Sequence, residues 1–322
     1  MLPDHAEDIA AAYDLGSPVG LELAARGEQG KVWRLETDRG VFAVKELLLR
    51  QDEADADADV AFQQAAIAAG VTAPRPLRTS SGRVLTEVGP HQVRGYDWFE
   101  LLPVDQGADP ALVGATVAAV HRVQHGPARP LHPWYTEPVG AERWDQLLSD
   151  ARAAQAPYAD GFAAEIPELL ALEAVMEAPR LLQNCHRDLW AENLLPTPAG
   201  GLCVLDWENC GLEDPAHELP MVLLDFAWGD PARMRALVDA YVDAGGPARL
   251  AGRGTFTMVI AQFGHFWESA VAEYTAPDAT ADARTHSIGR VEPLLRQPLR
   301  LTDLDDVLDA LGGSPGLAAT RI

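Results

Sequence analysis

Apolar and polar positions alternate with a period of two in three short runs near the start of the chain: Val19 to Leu23, Lys31 to Thr37 and Gly40 to Lys45. This alternation predicts strands buried on one face, the last two joined by a hairpin-type turn at Asp38-Arg39-Gly40. Leu2 to Leu15, ahead of them, reads as a helix closed by the break Gly16-Ser17-Pro18. Asp52 to Ala69, behind them, reads as a second helix with a glycine stop at Gly70. Its first half carries Glu53, Asp55, Asp57 and Asp59, and its second half, Val60 to Ala69, is apolar. The prolines of Val71 to Pro76 cannot continue a helix. Two more runs, Arg83 to Val88 and Gln92 to Phe99, complete an expected antiparallel sheet of five strands.

From Asp109 onward the period becomes helical, over Pro110 to Gln124, Ala141 to Ala154, Ala163 to Ala178, Pro215 to Ala227, Pro231 to Ala244, Gly252 to Tyr274 and Asp282 to Leu295. A strand-rich third followed by a helix-rich remainder predicts an α+β, bilobal architecture rather than alternating α/β. The expected lobes are residues 1–100 and 101–322, with Trp98 to Pro103 as the hinge. Thr302 to Ile322 reads as a short helix and a loose end.

Between two of the predicted helices lies Cys185-His186-Arg187-Asp188-Leu189-Trp190-Ala191-Glu192-Asn193, then a short apolar strand ending at Asp206. His-Arg-Asp-Leu, three residues and Asn is the spacing of a phosphotransfer catalytic loop. Transfer from ATP needs a carboxylate to accept the hydroxyl proton and oxygen-bearing side chains to hold Mg2+ against the phosphates. Asp188 is therefore the candidate base, and Asn193 and Asp206 are the candidate metal ligands, with Glu208 a further metal-side carboxylate. His186 is expected to make structural hydrogen bonds, Arg187 to hold an acid, and Glu218 to support the loop from beneath.

Such a site also needs a lysine on an early strand, and Val41-Phe42-Ala43-Val44-Lys45 ends in one. Only Lys31 and Lys45 among the 25 basic residues are lysines, so the position is not a product of a lysine-rich surface. Of the acids on the following helix, Asp59 is the expected partner of Lys45. The glycines of Gly27-Glu28-Gln29-Gly30 are placed to let backbone amides approach phosphates. Glu100 and Leu101, in the hinge, offer backbone groups to an adenine edge.

A net charge of −23 argues against non-specific binding to nucleic acid or anionic membranes. It suits a cationic small-molecule partner. Cys185, Cys203 and Cys210 are odd in number and lack metal-site spacing, which fits a reducing cytoplasm. The acidic start of the chain lacks signal-peptide order, and no apolar run reaches membrane-spanning length. Gln262 to Tyr274 is the densest aromatic and acidic segment of the second half. Trp267, Glu268 and Glu273 are its candidate contacts to an amine, by cation–π and ionic attraction; an amphipathic core helix explains the same pattern without a ligand.

The strand to Lys45, the prolines after Gly70, the His186 to Asn193 loop, the Asp206 strand and Asp214-Pro215 together resemble the aminoglycoside phosphotransferase and choline kinase superfamily. The resemblance covers most of the chain. It implies a protein-kinase-like fold, ATP and Mg2+ as cofactors, and transfer to a hydroxyl of a small molecule, an aminoglycoside-like cation first, with choline, another amino alcohol or a sugar as alternatives. Many members have glycine where Arg187 stands. No A-P-E segment follows Asp206, which disfavours a peptide acceptor. A silent nucleotide-binding module is the alternative from another class.

Overall fold

The computed structural model describes residues 2–27, 30–125 and 129–312. Strands β1 (Pro18–Arg26), β2 (Gly30–Thr37), β3 (Gly40–Leu47), β4 (Leu85–Val88) and β5 (His91–Asp97) form one antiparallel sheet in the order β1-β2-β3-β5-β4. The β2–β3 hairpin turns where the sequence predicts, with Gly40 at φ +147° and the Thr37 hydroxyl accepting from the Arg39 amide at 3.1 Å. Helix α1 (Ala6–Ala12) covers one face, burying Ile9, Ala10 and nearby Tyr13 against Leu35, Val44 and Val93. Burial of a set like this is the main favourable term in forming a sheet. The register places Lys45 opposite Val32 on one side and Arg94 on the other, in the middle of the sheet.

Helix α2 (Glu53–Ala68) is capped by Asp52, whose side chain accepts from the Ala54 amide at 2.8 Å. Its Ala56 and Val60 meet Val84 and Leu85, whereas Phe62 and Ala66 join the large core of the second half, where Phe62 lies edge-on to Trp207 at 5.6 Å. One helix therefore ties the sheet to the rest of the chain.

The remainder is mostly helical: α3 (Pro110–His121), α4 (Pro133–Thr136), α5 (Ala141–Ala153) and α6 (Ala159–Glu173), then α7 (Pro215–Ala227), α8 (Pro231–Asp243), α9 (Thr257–Thr275), α10 (Ala281–Arg296) and α11 (Leu301–Leu311). Three of these helices start on the same tripeptide. Asp109, Asp214 and Asp230 each cap with a carboxylate that accepts from the amide two residues on, with proline at the first helical position between. Gly114 of α3 faces α8 so closely that a Cβ would strike the Leu237 carbonyl. Between α6 and α7, β6 (Gln183–Cys185) pairs with β9 (Gly211–Glu213), and β7 (Leu194–Pro196) with β8 (Leu202–Val204). The β6–β9 ribbon brackets the segment from His186 to Asp206, and the β7–β8 hairpin lies within it.

Several boundaries differ from expectation. The run from Gly252 begins as a 3-10 turn at Arg253–Phe256 before α9, the helix expected from Ala163 starts at Ala159, and the short α4 was not anticipated. The expected loose end, residues 313–322, lies outside the described residues.

Candidate active site

The His186–Asn193 loop owes its shape to buried polar contacts. His186 Nε2 donates to the Leu205 carbonyl at 2.9 Å, and burial pushes its pKa down to about 4, so it stays neutral. Its role is structural, as the loop pattern implied. Arg187 has φ +65°, a left-handed backbone that costs a non-glycine residue roughly 1–2 kcal/mol. Its guanidinium compensates by donating to the carbonyls of Asn209 at 2.6 Å, Cys210 at 3.1 Å and Pro130 at 3.2 Å, and it lies over the Tyr135 ring at 4.8 Å. Beneath it, the Arg187 amide donates to Glu218, whose other oxygen meets His121 Nε2 at 3.0 Å; His121 Nδ1 in turn meets the Tyr241 hydroxyl at 2.9 Å. Glu218, His121 and Tyr241 are fully buried, so this chain supports the loop from below as expected of Glu218.

Asp188 faces a cavity of about 900 Å³. Its Oδ2 accepts from Asn193 Nδ2 at 3.0 Å and from Asn209 Nδ2 at 3.1 Å. Burial, and then the charge of Asp206, raise its pKa to about 7. Asn193 also donates to the Asp188 carbonyl at 2.8 Å, so both its amide hydrogens serve Asp188 and its oxygen is the atom left for a cation. Asp206, like Arg187, is left-handed, at φ +58°. Asp188, Asn193 and Asp206 line the same cavity as Lys45, Gly27 and Gly30. A Cβ on Gly30 would come within 2.9 Å of the Glu46 carbonyl and 3.0 Å of Lys45 Cε, so the β3 backbone leaves no room for a side chain without a shift. Glu28 and Gln29, between these glycines, lie outside the described residues.

The partner of Lys45 is not the one expected. Its Nζ donates to Asp206 Oδ1 at 2.5 Å and Glu208 Oε2 at 2.6 Å; burial disfavours its charge, but Glu208 and then Asp206 outweigh this and raise its pKa. Asp59 is instead held by Arg129 Nη2 at 2.6 Å and Gln51 Nε2 at 2.7 Å, with Arg94 at 3.7 Å. It is fully buried, and that burial raises its pKa to about 7 against the pull of Arg129. Among the described residues no acid of α2 meets the lysine; the turn that follows β8 supplies both of its partners. Glu208 is buried, bonded to Lys45 at 2.6 Å and within 3.5 Å of Arg94, so in this structure its carboxylate, like that of Asp206, meets cations of the chain.

In the hinge, the exposed Glu100 side chain accepts from Trp98 Nε1 at 2.8 Å, a contact that does not involve the backbone groups expected to meet adenine. The acceptor candidates need revision. Trp267 is 2% exposed and stacked on Phe162 at 5.1 Å, a core residue. Glu268 is engaged by Arg143 at 2.7 Å and His265 at 3.0 Å, and Glu273 by His286 at 2.9 Å. The cavity wall on α9 is a different stripe, Gln262 and Phe266, one turn apart. Trp134 and Tyr135 of α4 and Arg290 of α10 complete that side. The helix was identified in sequence and its rotation was not.

Comparison with known proteins gives the family and the fold. Residues 20–254 match the model of the phosphotransferase enzyme family, so the chain belongs to that family. A homoserine kinase of Beijerinckia indica is 28% identical over 191 residues, 58% of this chain; the match spans 57% of that enzyme's length. Among solved structures, a spectinomycin phosphotransferase bound to ADP and spectinomycin superimposes with a TM-score of 0.70 at 10% identity, covering 95% of this chain and 97% of that one. A choline kinase from Streptococcus pneumoniae gives 0.59 at 16% identity, covering 90% and 96%. These establish the kinase-like fold. No helix among the described residues is long and apolar enough to cross a membrane.

Proposed function

We propose that the protein transfers the terminal phosphoryl group of ATP, in the presence of Mg2+, to a hydroxyl of a small molecule. One observation carries the reading: Lys45, Asp188, Asn193 and Asp206, drawn from points up to 161 residues apart, meet at one cavity. The metal requirement fits the donors present, since the Asp206 carboxylate and the Asn193 amide oxygen are hard ligands suited to Mg2+. When bound, Mg-ATP supplies the phosphoryl group and neutralises its charge. Lys45 exchanges its pairing with Asp206 for the nucleotide phosphates. Asp188, aimed by the two asparagine amides, orients the acceptor hydroxyl and takes its proton. Three buried, unpaired cysteines accord with a reducing compartment, in keeping with a cytoplasmic location.

The acceptor side of the cavity is taken to be the wall of Trp134, Gln262 and Phe266. An aminoglycoside-like cation is favoured chiefly by the family resemblance; Glu268 and Glu273, both turned to basic side chains of the protein, add nothing to it. The test is Mg-dependent ADP release from ATP across a panel of hydroxylated small molecules, with recovery of the phosphorylated acceptor. ADP release that no acceptor stimulates, over a broad panel, would contradict the reading.

A further inference from the structure

Resting on this phosphotransfer reading, we propose that the acceptor carries a carboxylate or similar anionic group, held by Arg290, and a hydrogen-bond donor that meets Gln262. Gln262 lies on the cavity wall yet is only 2% exposed, and its Oε1 has no hydrogen-bond partner among the described residues. Leaving a buried amide atom unpaired costs roughly 1–3 kcal/mol, so such atoms are rare without a reason. An amide oxygen accepts, so its partner on a ligand seated on this wall is an N–H or O–H, distinct from the anionic group.

Arg290 gives the ligand its charge. It lines the same cavity, with its side chain about 25% exposed. Nη2 donates to Ser269 Oγ at 2.7 Å, and Nη1 lies 3.5 Å from Glu273. Both partners are on α9 and neither belongs to the cavity wall. A guanidinium has five N–H donors in a planar fork, so these two contacts fix its orientation and leave donors for a planar anion. Glu273 offsets part of the charge, so recognition rests on the fork as well as on net charge.

The other bases of the cavity are otherwise engaged. Arg129 is bound to Asp59 and Arg187 to three backbone carbonyls. Partial burial and the nearby Arg187 hold the His132 pKa below its ordinary value, so it adds little positive charge at neutral pH. Trp134, stacked on His265 at 5.2 Å and edge-on to Phe266 at 5.7 Å, is a fixed flat wall against which a short acceptor can lie. The proposed acceptor places a hydroxyl at Asp188 and a carboxylate at Arg290, and is a hydroxy acid or hydroxy amino acid rather than a polycation.

The test uses pairs of compounds that differ by one carboxylate: serine and ethanolamine, 2-amino-4-hydroxybutanoate and 3-aminopropan-1-ol, glycerate and ethylene glycol. Each is titrated calorimetrically into the full chain with Mg-ADP, as wild type, Arg290→Gln, Arg290→Lys and Asp188→Asn, and each is also assayed for ADP release from Mg-ATP. The expected result is at least one carboxylate member binding about tenfold or more above its partner, a preference lost in Arg290→Gln. Arg290→Lys, which keeps the charge and loses the fork, falls between, and Asp188→Asn keeps the preference. Circular dichroism and ADP affinity report whether each variant is folded. No preference for carboxylate in any pair, or one that persists in Arg290→Gln, overturns the proposal. Preference without turnover would sink the phosphotransfer reading and leave the anion subsite standing; turnover of amino alcohols or aminoglycosides without preference would do the reverse.

Discussion

The guanidinium of Arg187 grips the carbonyl of Asn209 at 2.6 Å, and the side chain of the same Asn209 donates to Asp188 at 3.1 Å. The residue beside the proposed base thus aims that base through a loop 22 positions away. Gly211 makes room for the arrangement, since a Cβ there would strike the guanidinium. It also explains how an arginine stands at a left-handed position suited to glycine. Arg187→Gly removes roughly 1–2 kcal/mol of backbone strain but loses three hydrogen bonds from a charged donor, each worth about 1.5–3 kcal/mol. The loss wins, so the variant melts lower. Its kcat should fall about tenfold or more while KM for ATP changes little, because aim rather than nucleotide affinity is lost. An unchanged kcat would remove Arg187 from the positioning role.

Glu208 separates two accounts of the acid after Asp206. As a partner of Lys45 and Arg94, its replacement by glutamine loosens the lysine and raises KM for ATP by about tenfold, equivalent to 1.4 kcal/mol. The Mg2+ concentration giving half-maximal rate stays where it was. A marked rise in that concentration would return Glu208 to the metal.

Glu218 makes stability depend on pH. Burial works against its charge, but the His121 hydrogen bond and the other donors around it hold its pKa below the ordinary 4.5. A depressed acid contributes stability that is fully present above its unfolded pKa and is lost as pH falls through its folded one. Melting temperatures of wild type and Glu218→Gln should therefore differ most near neutrality and converge as the pH drops below about 4.5. A difference constant down to pH 3 contradicts this assignment.

Trp267 belongs to the core. Trp267→Ala removes its stacking on Phe162 and should cost about 3–5 kcal/mol of stability. Acceptor KM, measured on the folded protein, should hold. A selective rise in KM without a change in melting would restore Trp267 to the acceptor site.

The fold was legible because its signals are local. Period-two runs, the Asp38–Gly40 turn and three Asp-Pro helix starts each act within a few residues. Asp188, Asn193 and Asp206 were legible because their spacing is itself chemical. Lys45 was found from its strand, but its partners were not, since 161 and 163 residues separate it from Asp206 and Glu208. Asn209 was hidden in the same way, its tie to Asp188 being set by the Arg187 clamp. On α9 the apolar residues run nearly all round the first turns, so periodicity could not phase the helix. The clue was Gln262, a polar residue among Thr257 to Ala261 and Phe263, whose neighbours gave an amide no evident reason to be there.

The central claim is that Asp188 assists transfer from ATP to an acceptor hydroxyl. Its most direct test is Mg-dependent, acceptor-stimulated ADP release by the wild type and by Asp188→Asn, alongside ATP affinity measured separately. The account predicts a fall in kcat of about 10²–10⁴-fold, with ATP still bound and the fold intact. Stimulated turnover at the wild-type rate in Asp188→Asn would contradict it.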